Sequence, residues 1–103
     1  MIESIFKQMT EEFQANSVSK NQSYYFSIDE LKKTVFLDPQ NCRVEDGKTI
    51  DSADCVCKTS SEFFAQIWNE GYRPGIKDFL SGAIRSNNPE ALKTFLTAFG
   101  KDS

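Results

Sequence analysis

Hydrophobic positions follow a helical rhythm at both ends of the chain and a strand rhythm between them. Ile2, Ile5, Phe6, Met9 and Phe13 recur at i, i+3, i+4, i+7 and i+11, with Glu3, Lys7, Glu11 and Glu12 outside the stripe. That spacing predicts a helix over about Ile2 to Gln14. The polar stretch Ala15–Gln22 reads as a linker. In Ser23–Ile28, Tyr24, Phe26 and Ile28 alternate with Tyr25 and Ser27, as a half-buried strand requires. A second strand follows at Lys33–Leu37, closed by the turn sequence Asp38-Pro39-Gln40-Asn41. Cys42–Glu45 and Lys48–Ile50 flank Asp46-Gly47, a two-residue hairpin signal that predicts a third strand with a short return.

Ala53–Lys58 reads as a further strand, with Ala53, Cys55 and Cys57 on one face and Asp54, Val56 and Lys58 on the other. Thr59-Ser60-Ser61-Glu62 fits a capping box with Thr59 as the cap, and Phe63, Phe64, Ile67 and Trp68 continue as an apolar helical face up to Gly71. Pro74 suits the first turn of a short helix ending at Gly82, in which Ile76, Phe79 and Leu80 are expected to face inward. Ala83–Ser86 leaves room for one short strand. Asn88-Pro89-Glu90 is a helix start, and Leu92, Phe95, Leu96 and Phe99 stripe the helix that ends at Gly100. The predicted order is α-β-β-β-β-α-α-β-α: an α+β fold with a mostly antiparallel sheet carrying helices on one face.

At 103 residues the chain is expected to be a single domain over 1–103. Nine Phe and 39% hydrophobic residues supply a packed interior and argue against disorder. A net charge of -3 lacks the positive excess of a general nucleic-acid binder, so no nucleic acid is expected as a partner. The N-terminal run holds three Glu and no Arg, unlike a signal or transit peptide, and the ending Lys101-Asp102-Ser103 is not a peroxisomal address. Together with an odd count of three Cys, these features lead us to expect a cytoplasmic location.

Histidine is absent, which removes Ser-His and Cys-His catalytic pairs and Cys2His2 zinc sites. Cys55 and Cys57 project from one face of a strand, but with Cys42 they make at most three thiols where a structural zinc site wants four ligands. Buried small hydrophobes are the plainer account of all three. Glu45, Asp46, Asp51 and Asp54 border a hairpin turn and read as solvated loop charges. No EF-hand spacing or phosphate-binding glycine loop occurs. The expectation is therefore a non-enzymatic protein with no catalytic residue, metal or cofactor.

The segment Ser52–Gly100 resembles the sterol carrier protein type-two family of lipid-binding domains. Ala53-Asp54-Cys55 stands where that family has an Ala-Asp-Val strand, and Ser61-Glu62-Phe63-Phe64 resembles its helix opening. Gly71 and Pro74 separate two helices as in the family. Phe79-Leu80-Ser81-Gly82-Ala83-Ile84-Arg85 is similar to its Phe-Met-x-Gly-Lys-Leu-Lys run, and Ala91-Leu92-Lys93-Thr94-Phe95-Leu96 to its closing helix. Cys55 and Cys57 replace bulkier side chains and Asn87-Asn88 replaces a Gly-Asp; a tail like the one that closes the tunnel in some members is not expected.

The resemblance implies a five-stranded sheet with four to five helices around a hydrophobic tunnel that binds a fatty acid, acyl-CoA, phospholipid or sterol without covalent chemistry. It places the apolar wall on Phe26, Phe63, Ile67, Phe79, Leu80, Ile84, Leu92, Phe95, Leu96 and Phe99, with Trp68 at the mouth or inside. Arg73 and Lys77 are head-group candidates. Burying ~14 methylenes at about 0.8 kcal/mol each is worth roughly 11 kcal/mol, against association costs of about 4–15 kcal/mol. The implied partners are a lipid or hydrophobic small molecule, a membrane surface touched transiently, and a partner enzyme. A protein-interaction or enzyme-accessory module with the same fold is the alternative.

Overall fold

A computed structural model describes residues 2–100; Met1 and the ending Lys101-Asp102-Ser103 of the expected 1–103 unit lie outside the described residues. The elements follow the predicted order: α1 (Ile2–Glu12), β1 (Gln22–Ile28), β2 (Leu31–Leu37), β3 (Cys42–Asp46), β4 (Cys55–Thr59), α2 (Ser61–Glu70), α3 (Ile76–Ser81), β5 (Ile84–Ser86) and α4 (Pro89–Ala98). The strands form one five-stranded sheet, β3-β2-β1-β4-β5. Only β1 and β4 run parallel; the other neighbours are antiparallel, so the sheet is mixed but mostly antiparallel.

Alternation along β1 turns Tyr24, Phe26 and Ile28 to the helix-covered face, and the β2 register brings Val35 opposite Tyr24 and Lys33 opposite Phe26. On β4 the same period of two buries Cys55 and Cys57 and leaves Val56 and Lys58 less covered. Rings from both sides then meet. Phe6 of α1 stacks on Phe64 of α2 at 5.6 Å, and Phe95 of α4 lies 4.8 Å from Tyr24 and 5.0 Å from Phe26. Trp68 and Phe99 extend the cluster, 5.3 Å apart. Each such ring pair adds about 0.5–1.5 kcal/mol beyond its area burial.

Lys33 also points to this face and is nearly buried. It bonds Asp46, opposite it on β3, and Glu3 of α1 at 2.7 Å, tying α1 to the sheet. Burial works against its charge, but the two carboxylates prevail and its pKa rises. The single hydroxyl proton of Tyr24 faces two acceptors, Gln22 Oε1 at 2.7 Å and the Ala91 carbonyl at 3.2 Å, so the one phenol buried among the described residues is satisfied where α4 crosses β1.

Three expectations change. The return strand at Lys48–Ile50 does not form. Gly47 takes φ 78° and donates to the Lys32 carbonyl, and the chain then crosses the outer sheet face, where Thr34 Oγ1 accepts from Thr49 N and donates to Gly47 O. A buried threonine hydroxyl there competes with a hairpin ladder and wins. The cap of α2 is Ser60, whose Oγ accepts from Phe63 N at 3.1 Å, because Thr59 is still paired in β4 and donates instead to the Ala83 carbonyl. Finally, α3 does not bury its apolar side: Ile76 is 78% and Leu80 82% exposed, and only Phe79 is partly covered.

Candidate functional site

One hollow lies between the Arg73–Phe79 segment and α4. Arg73, Pro74 and Phe79 form one wall; Pro89, Glu90, Leu92, Lys93 and Leu96 form the other, around a groove of about 430 Å3. That volume falls within the roughly 300–1,000 Å3 of small-molecule sites. Each wall has a local cause. On α4, positions 89, 92, 93 and 96 share one stripe by the i, i+3, i+4, i+7 rule. Asn88 sets the start of that stripe: its side chain accepts from Ala91 N at 3.2 Å, and Pro89 occupies the first turn.

The opposite wall hangs on Asp78. Its Oδ2 accepts from Gly75 N at 2.8 Å and from the Tyr72 hydroxyl at 2.7 Å, so the loop after α2 closes onto the first turn of α3. Those bonds hold the Asp78 carboxyl below the usual range, the Gly75 backbone first and then Tyr72, and the same contact raises Tyr72. Gly82 ends α3 at φ 84°, a left-handed geometry that suits glycine.

Chemically, the groove has an apolar floor of Phe79, Leu92 and Leu96 and a charged rim of Arg73, Lys93 and Glu90. Its polar lining groups are the Arg73 guanidinium, the Lys93 ammonium and the Glu90 carboxylate. A second hollow, lined by Lys58, Thr59, Ser60, Phe63, Gly82, Ala83 and Arg85, lies beyond the other end of α3. Among the described residues no cluster of three or more Cys, Asp or Glu side chains is placed to hold a metal. All three thiols are free; burial pushes Cys42 and Cys57 up to about 12 and raises Cys55 as well.

The eleven expected wall residues are therefore divided. Phe79, Leu92 and Leu96 line the groove, as does Arg73 of the two head-group candidates. Phe26, Ile67, Trp68, Ile84, Phe95 and Phe99 are buried in the packed interior. Phe63 borders the second hollow, Leu80 faces solvent, and Lys77 is exposed on α3 outside the groove lining. The groove lining also takes in Pro74, Pro89, Glu90 and Lys93, none of them among the expected wall residues. The α4 stripe carried the signal for three of them, since Pro89 and Lys93 sit at helical spacing from Leu92 and Leu96, with Glu90 beside Pro89.

Of the four carboxylates beside the third strand, three have structural partners. Glu45 pairs with Arg43 at 2.9 Å, Asp46 with Lys33, and Asp54 accepts from Ser23 N at 2.9 Å, joining the starts of β1 and β4. Among the described residues no helix is long and apolar enough to cross a membrane.

No family profile matches the sequence, and no curated protein is similar to it. Solved structures are. The stereoselective inverting sec-alkylsulfatase Pisa1 from Pseudomonas sp. superposes with TM-score 0.77 at 14% identity, over all of this chain and 16% of the sulfatase. This chain thus spans about one sixth of that protein's length. A ubiquinone synthesis protein, UbiJ-SCP2, gives TM-score 0.61 at 12% identity over 98% of this chain and 85% of its own. Sterol carrier protein 2 from Yarrowia lipolytica, in its apo form, gives 0.51 at 18% identity over 94% and 80%.

Proposed function

We propose that this chain, which has a sterol carrier protein type-two-like fold, is a non-catalytic unit binding a lipid or other hydrophobic molecule in the groove between α3 and α4. The observation that carries the reading is the groove itself: an apolar floor of Phe79, Leu92 and Leu96 with cations at its rim. An acyl chain laid along Leu92 and Leu96 leaves water at about 0.8 kcal/mol per buried methylene. Arg73 and Lys93 stand where a carboxylate or phosphate head remains hydrated, and Glu90 sets a limit on how much negative charge the rim accepts. Fatty acids, acyl-CoA, phospholipids and sterol-like molecules are the ligand classes to try. On this reading residues 1–103 act as one binding unit, alone or presenting the ligand to a partner enzyme.

The test is native mass spectrometry of protein purified without detergent, then thermal-shift titrations with palmitate, palmitoyl-CoA and a sterol. Anything that binds the folded state raises Tm with concentration, by about 2.7 kcal/mol of stabilisation at one hundred times Kd. A bound lipid mass or a concentration-dependent rise supports the proposal. Ligand-free protein with no shift for any of the three overturns it and favours an interaction or enzyme-accessory module, the role open to this fold where it is part of a longer chain such as the sulfatase.

A further inference from the structure

Lys58 on β4 and Arg85 on β5 stand directly opposite each other, both exposed. Like charges placed so are destabilising on their own. Among the described residues neither forms an ion pair. Asp29 is taken up by the Ser61 backbone N–H and hydroxyl, and Asp78 by Gly75 N and the Tyr72 hydroxyl. Both cations line the second hollow, about 460 Å3, where α3 leads into β5; its lining holds these two charges and no carboxylate. Glu62, exposed in the first turn of α2, lies outside that lining. The Arg85 guanidinium lies against Gly82, 3.7 Å from where a Cβ would stand, so it reaches back over the turn that ends α3. Ser60 Oγ accepts from Phe63 N, which leaves its hydroxyl proton to donate. The Thr59 proton, by contrast, goes to the Ala83 carbonyl. Phe63, partly buried, gives the hollow an apolar side.

We propose that this hollow binds a phosphate monoester. Its dianionic head sits between the Lys58 ammonium and the Arg85 guanidinium, Ser60 donates a further hydrogen bond, and the ester carbon rests against Phe63. The donor set selects the class. Arg85 offers a planar fork and Lys58 a point charge, both suited to phosphate oxygens, whereas a lining with two cations and no carboxylate repels any cation. A phosphate monoester carries about -1.5 to -2 near neutrality, close to the charge the pair lacks. A bound dianion also turns the cross-strand repulsion into two attractions. The hollow and the groove lie beyond opposite ends of α3, so the inference goes beyond groove binding and does not require it.

The experiment is an amide chemical-shift titration of the labelled protein with glycerol 3-phosphate, with a water-soluble short-chain phosphatidic acid, and with sodium chloride at equal ionic strength. Saturable changes at Ser60, Gly82 and Ala83 are expected with the phosphates and not with chloride. No saturable change with either phosphate overturns the proposal, as do the same changes with chloride, which would be screening alone. Glycerol 3-phosphate binding as tightly as the phosphatidic acid assigns the site to a soluble ester. Phosphatidic acid binding at least about tenfold tighter, with changes spreading to Phe79 and Leu92, assigns it to a lipid head group; both results support a phosphate monoester site. Arg85→Gln should weaken binding about tenfold. Lys58→Glu should abolish it while raising Tm in chloride, because Arg85 then faces an opposite charge across the strands. Binding unchanged by either variant overturns the assignment to this pair. Palmitate titrated in parallel keeps the two readings apart, since its changes belong to the groove.

Discussion

Ile76, Phe79 and Leu80 on α3 repeat the spacing of Leu92, Phe95 and Leu96 on α4, yet the two triplets end in different surroundings. On α4 all three are buried, with Phe95 against Tyr24, Phe26, Trp68 and Phe99. On α3 two of the three face water. Length explains the difference. A ten-residue helix with an asparagine cap reaches across β1 and β4, whereas six residues between Gly75 and Gly82 make less than two turns and are anchored by Asp78 to their own loop. The same pattern therefore builds a core where the helix has a sheet to lie on and a surface where it has not. The groove is what separates the two.

The comparison breaks first at Phe95. Phe95→Ala should cost about 3–5 kcal/mol in chemical denaturation, because the ring is fully buried among four others. The equivalent truncation on the exposed helix, Leu80→Ala, should stay within about 0.5 kcal/mol. Equal costs would mean that α3 is packed after all.

Acid should act next, through the bonds that hold the core's edges. Asp29 is lowered by the Ser61 backbone N–H at 2.8 Å and the Ser61 hydroxyl, Asp46 by the Lys33 ammonium, and Asp78 by Gly75 N. A depressed carboxylate contributes stability above its unfolded pKa of about 3.9 and loses it as pH falls through the lower folded value. Tm should hold from neutrality to about pH 4 and fall below it. Asp46→Asn should flatten that fall; an unchanged slope would separate Lys33 from it.

Thiol reactivity reports the core without altering it. With Cys42 and Cys57 pushed up to about 12 by burial and Cys55 raised as well, alkylation at neutral pH should be slow for all three and become fast in denaturant. One rapidly modified thiol in the folded protein would contradict that burial. The smallest effect is expected from Ile76→Ser with Leu80→Ser, whose Tm should match the parent because both side chains already face water.

The order of elements was legible because most stripes and alternations were long enough to have a single reading: Tyr24, Phe26 and Ile28 inward on β1, Leu92 to Phe99 on α4, Asn88 as a cap. What escaped was decided by tertiary competition. Nothing local distinguishes Thr59 from Ser60 as the cap until β4 pairing claims Thr59. Asp46-Gly47 keeps its positive φ but not its hairpin, because the buried Thr34 hydroxyl gathers the following segment. The wall was only partly legible for a deeper reason: an apolar stripe has the same spacing whether the space beside it is filled by rings or left as a groove. Six of the expected lining residues are buried in the interior, and the groove takes in Pro74 on one wall and Pro89, Glu90 and Lys93 on the other.

The most direct test of the central claim is an amide chemical-shift titration of the labelled protein with palmitate. Binding in the groove predicts saturable changes concentrated at Phe79, Leu92, Lys93 and Leu96, with Tyr24, Phe26 and Cys57 on the inner strands little affected. Changes centred on Tyr24, Phe26 and Phe64, as entry between the stacked rings would produce, or no saturable change at all, would contradict it.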